Sequence, residues 1–88
     1  MPAGGDTEAE VAAWLRALGK RVRLLRLTRE MTQDQLAAAA GMSRSFVSLI
    51  EHGTHGVDVV RLLRLAAALD VPLTELVGTP PTDGRRPG

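Results

Sequence analysis

The sequence predicts an all-α chain of five helices, and three observations carry that reading. First, Thr32 to Gly53 reads TQDQLAAAAGMSRSFVSLIEHG, two short helices meeting at a sharp turn. Second, Val11, Trp14, Leu15, Leu18, Val22 and Leu25 recur at spacings of three and four, the mark of one amphipathic helix. Third, helix starts and stops fall in order along the chain.

Thr7 with Glu10 forms a capping box, so the first helix runs from Glu8 to about Arg29. Gly19 lies inside it, where a glycine costs about 1 kcal/mol relative to alanine, which leaves room for a break between an added helical segment and the rest of the helix. Thr32 with Gln35 is a second capping box, which starts a helix at Gln33. That helix ends at Gly41, which lacks a Cβ and takes the left-handed turn at no steric cost. Ser43 caps the third helix, Met42 is placed to staple onto Val47, and Gly53 is the stop. On a wheel of about 100° per residue, Phe46, Val47 and Ile50 share one side of this helix. Ser45, Ser48, Leu49 and His52 share the other, and Arg44 sits in the first turn beside that free side. Asp58 caps a fourth helix with an apolar stripe of Val59, Leu62, Leu63, Ala66 and Leu69. Asp70 tolerates the left-handed turn that follows, and Pro72 opens a short fifth helix that Gly78 stops after Val77. Residues 1–7 and 79–88 carry small residues, proline, glycine and charge with nothing to bury, so disorder is expected there and the folded unit is 8–78.

Eighty-eight residues allow one domain with a shallow core, whose stability is modest unless the chain associates with itself. Formal net charge is +1, which counts against strong non-specific attraction to nucleic acid. Its distribution says more: Arg16, Lys20, Arg21, Arg23, Arg26 and Arg29 crowd the first helix. Such a run is either a solvated helix face or a face turned to phosphate. There is no cysteine, hence no disulfide and no thiolate chemistry. Neither a signal-peptide pattern nor an apolar run long enough to span a bilayer is present, and a soluble, cytoplasmic protein with no membrane partner is expected. His52 and His55 have no carboxylate or cysteine beside them at ligand spacing, so no metal is expected. No acid–base pair, activated nucleophile or phosphate-binding loop stands at workable spacing either; neither a cofactor nor an enzymatic activity is expected.

The 22 residues from Thr32 to Gly53 resemble the helix-turn-helix of the Cro and phage-repressor class, the XRE family of DNA-binding proteins. From Leu18 to Val77 the resemblance covers the whole family layout, about two-thirds of the chain. It takes in a basic first helix, the TQ-x-x-LA start, the E-x-G end of helix three, and LLRLAAAL-x-VPLTEL for the last two helices. The fold implied is a five-helix repressor-like domain with residues 8–17 as an extension of helix one. The function implied is sequence-specific regulation of transcription by a homodimer on double-stranded DNA, with helix 43–52 in the major groove. By the same resemblance Arg44 and Ser45 read base edges, Ser48 and Leu49 adjust fit, and Gln33 and Ser43 hold phosphate near helix N-termini. Thr54 and His55 lie in the loop that touches the DNA backbone in the family. Arg26 and Glu51 match an ion pair between helices one and three.

This sequence departs from the family pattern at four places. Glu30 and Asp70 stand where glycine is usual, which implies a less tight turn at Glu30. The loop Thr54–Val57 carries no permanent charge, and Leu49 replaces a polar reader, leaving only a thymine methyl or an apolar surface for it to touch. The neutral loop, Leu49 and the low net charge also suit a protein-interaction module on the same fold, such as the antitoxin of a toxin pair or an adaptor, which would bring a protein partner.

Overall fold

The structure, a computed structural model, describes residues 7–78, so the expectations for residues 1–6 and 79–88 lie outside the described residues. Five helices follow one another: α1 (Thr7–Thr28), α2 (Gln33–Ala40), α3 (Arg44–His52), α4 (Val59–Ala68) and α5 (Leu73–Val77). No strand occurs among the described residues.

The helix ends form for local reasons. Thr32 Oγ1 accepts from the Gln35 N–H at 3.0 Å while Gln35 Oε1 accepts from the Thr32 N–H at 2.8 Å, a reciprocal capping box. Ser43 and Asp58 cap α3 and α4 by accepting from the backbone N–H three residues on. Gly41 takes φ 69°, and the N–H groups of Gly41 and Met42 close onto Ala38 O and Ala37 O. That pair of bonds is the Schellman ending, which uses carbonyls the helix leaves free.

The turn after α1 is as tight as that after α2, contrary to the expectation from Glu30. Glu30 itself enters the left-handed region at φ 56°, and the N–H groups of Glu30 and Met31 bond Leu27 O and Arg26 O at 3.0 and 3.1 Å. A side chain in that conformation costs roughly 1–2 kcal/mol. The Arg26 guanidinium helps to hold it, donating through Nη1 to Met31 O at 2.8 Å. Asp70 does the same after α4 at φ 57°, as its residue type suggests.

No break occurs at Gly19. α1 is continuous, because Gly19 is where its backbone meets that of α3: a Cβ built there would lie 2.5 Å from Ile50 O and 2.8 Å from Glu51 O. The glycine serves a helix crossing, and packing along 22 residues outweighs its low helix propensity. Less than one turn beyond the crossing on α3, Gly53 rests on the α1 backbone, 2.9 Å from its would-be Cβ to the Arg16 Cα. The extension of α1 therefore lies against the end of α3.

The core is Leu18, Val22, Leu36, Ala37, Ala40, Val47, Ile50, Leu65, Ala66, Leu69 and Leu76, with Leu25, Met31, Met42, Phe46 and Leu62 packed at its edge. This corrects the α4 stripe. Leu62, Leu65, Ala66 and Leu69 face inward, whereas Val59 and Leu63 are exposed. Leu65 belongs to the core although the stripe as read from the sequence did not include it.

Candidate nucleic-acid interface

α3 is amphipathic, and its two faces do different work. Val47 and Ile50 are fully buried against α1 and α2, which fixes the rotation of the helix. Arg44, Ser45, Leu49 and His52 are thereby turned outward, with Ser48 half-covered between them. Ser43 at the cap and Thr54 and His55 in the following loop are also exposed, so these residues form one surface around α3. Leu49 retains 41% of its surface, enough apolar area for a methyl-sized contact.

The outer face has its own internal contacts. Arg44 leans toward Asp34 in the first turn of α2, Nε to Oδ1 3.8 Å, with the two side chains 66% and 76% exposed. An exposed pair of this kind is worth about 1 kcal/mol or less, so the guanidinium is available to another acceptor. His52 Nδ1 lies 2.8 Å from Ser48 O, and His55 Nδ1 lies 2.8 Å from Gly56 O, which orients both rings.

Arg26 and Glu51 form the expected ion pair beneath this surface. Arg26 donates from Nε to Oε2 at 2.7 Å and from Nη2 to Oε1 at 3.1 Å, with side chains only 9% and 3% exposed. The bond to Glu51 holds the Arg26 pKa above its already high ordinary range, burial acting against it to a lesser degree. Gln33 joins the pair, donating from Nε2 to Glu51 Oε1 at 3.1 Å. Its amide therefore bridges the start of α2 to the end of α3, a structural contact that the sequence reading did not include beside its expected phosphate role.

The basic run on α1 divides in a way that neither alternative described. Arg21 donates to Leu76 O and Val77 O, at 3.4 and 2.6 Å, and so satisfies the end of α5. Arg29 donates to Asp70 O at 3.2 Å at the end of α4. With Arg26 on Met31 O, three of the six cations tie the ends of other segments to α1, while Arg16, Lys20 and Arg23 remain exposed.

Phe46, placed by the helical wheel on the packing side, is only half-buried. The Arg61 guanidinium lies over its ring, 4.9 Å from Cζ to the centroid, and the His55 ring sits T-shaped to it, the centroids 5.2 Å apart and the planes at 77°. Arg61 also pairs with Asp58 Oδ2. The Arg61 backbone N–H, then its guanidinium, hold the Asp58 carboxyl below its ordinary 3.8. The i, i+3 spacing of Asp58 and Arg61 is a signal that could have suggested their pairing, whereas no local signal places Arg61 over Phe46.

A helix-turn-helix family model matches residues 22–76. The chain belongs to the helix-turn-helix family, of the XRE type. Over 60 residues it is 40% identical to the HTH-type transcriptional regulator SlrR of Bacillus subtilis, covering 67% of this chain and 40% of that protein. It is 34% identical over 61 residues to the immunity repressor protein of Bacillus phage phi105, covering 69% of this chain and 42% of the repressor. The chain thus spans about two-fifths of the length of these two relatives. The restriction-modification controller protein C.AhdI from Aeromonas hydrophila superposes with a TM-score of 0.69 at 40% identity, covering 70% of this chain and 94% of the controller. The five-helix repressor-like fold is shared, and Thr7 to Arg21 of α1 precede the segment that the family match covers.

Among the described residues no group of three or more His, Cys, Asp or Glu side chains is arranged to hold a metal ion. No described helix is long and apolar enough to cross a membrane.

Proposed function

We propose that this helix-turn-helix protein is a sequence-specific transcriptional regulator whose folded unit, residues 8–78, binds double-stranded DNA in the cytoplasm as a homodimer, with α3 in the major groove. The observation that carries the reading is the split of α3. Its inner face is locked by Val47 and Ile50, and its outer face presents Arg44, Ser45 and Leu49 on a rigid rod of the width that groove admits. The regulator and repressor names of the relatives support it, and favour it over a protein-interaction module.

Arg44 is the only cation with a permanent charge on α3, and its forked donors match guanine O6 and N7. Arg44→Ala is expected to cost about 1–3 kcal/mol at one base position and to relax preference there, leaving the others nearly untouched. Binding selections run on the wild type and the variant decide it; the same base preferences in both, with only affinity reduced, would show that Arg44 positions the helix without reading sequence. Ser45 lies beside it as the second base reader, Ser48 and Leu49 adjust fit, and Ser43, Thr54 and His55 flank the phosphates.

A twofold operator requires two copies of α3 about 34–36 Å apart. Sedimentation is expected to show a dimer at roughly tens of micromolar, or on DNA at lower concentration. A monomer under both conditions sinks the dimer.

A further inference from the structure

We infer that Arg61, in the first turn of α4, contacts the DNA phosphate backbone beside the loop between α3 and α4 and supplies the permanent charge that this loop lacks. This rests on the DNA-binding reading above. The loop from Thr54 to Val57 carries only a histidine, so it offers no permanent charge to a phosphate. Arg61 stands at its edge. The guanidinium lies over the ring of Phe46, which follows Arg44 and Ser45 of the outer surface of α3, and the His55 ring of the loop sits T-shaped against the same ring. One aromatic ring thus contacts both the cation and the loop. The charge is thereby held against α3, although it comes from a different helix.

The chemistry suits a phosphodiester. A guanidinium over an aromatic ring is held there by the ring quadrupole while its N–H donors stay able to meet an anion. Nη1 is engaged by Asp58 Oδ2, while Nε and Nη2 have no acceptor among the described residues. Two donors therefore remain for phosphate oxygens, in the geometry that arginine uses for bidentate anion contacts. Asp58 has a second task, its Oδ1 accepting from the Arg61 N–H at 2.8 Å as the cap of α4. Its carboxylate holds Arg61 in place and at the same time repels the backbone that Arg61 would meet.

The test uses the whole chain, the duplex recovered by selection with wild-type protein, and a scrambled duplex of the same length, titrated across a range of salt. For Arg61→Gln the slope of log affinity against log salt is expected to fall by about 0.9, the contribution of one neutralised phosphate, equally on both duplexes and with base preferences kept. Arg61→Lys restores the slope. Asp58→Asn keeps a capping side chain and removes the opposing charge, so it is expected to bind several-fold more tightly, a gain that misfolding cannot produce. A wild-type slope in Arg61→Gln overturns this inference and leaves the DNA-binding reading standing. Absence of salt-dependent binding by the wild type overturns both.

Discussion

Glu51→Ala is expected to destabilise the domain by about 3–5 kcal/mol, the usual consequence of removing one side of a buried ion pair. The loss is large because three donors converge on this carboxylate: Nε and Nη2 of Arg26 and Nε2 of Gln33. Without it the Arg26 guanidinium, in a site only 9% exposed, keeps the Met31 carbonyl as its one remaining acceptor. A domain of this size has roughly 5–10 kcal/mol in total, so the variant should be near its unfolding midpoint at warm temperatures. Denaturant melts of the single variants and of Arg26→Met with Glu51→Leu together separate the pair from the packing. The double variant should recover most of the loss, since apolar replacements of similar volume need no desolvation of charge. A cost below about 1 kcal/mol for Glu51→Ala would mean that the pair behaves as an exposed one.

Gly19→Ala should also destabilise, against the ordinary rule for glycine within a helix. Helix propensity favours alanine by about 1 kcal/mol. Here the added methyl would meet two backbone carbonyls of α3 at 2.5 and 2.8 Å, and neither belongs to a flexible side chain that can swing away. α1 and α3 must move apart, at a cost of about 1–3 kcal/mol or more for overpacking, which exceeds the gain in propensity. The melting temperature is expected to drop by at least several degrees, each kcal/mol being worth about 4–8 °C in a domain of 60–100 residues. DNA affinity measured well below that midpoint should fall too, because the displaced segment is the end of the helix that carries Ser48 and Leu49. A variant that melts higher than the wild type would show that the crossing has room.

Five helices and nearly all of their ends are determined by the sequence itself. A capping box at Thr32 and Gln35, caps at Ser43 and Asp58, and left-handed turns at Gly41, Gly53 and Asp70 depend on groups three or four residues apart, so local spacing decides them. The two faces of α3 were legible for the same reason, since its apolar and polar residues separate cleanly at helical period. α4 was not, because VVRLLRLAAAL is apolar around most of its circumference. Periodicity then permits several rotations, and only contact with α2 and α5 turns Leu65 inward and Val59 and Leu63 out. Tertiary contact likewise decided that Gly19 is a crossing point and not a break, and that Glu30 takes the strained turn under the Arg26 guanidinium. It also assigned the first helix's arginines to carbonyl groups of α4, α5 and the α1–α2 turn, and set Arg61 on Phe46. Long cationic side chains reach acceptors dozens of residues away, and their partners are fixed only when the helices that bear them have packed.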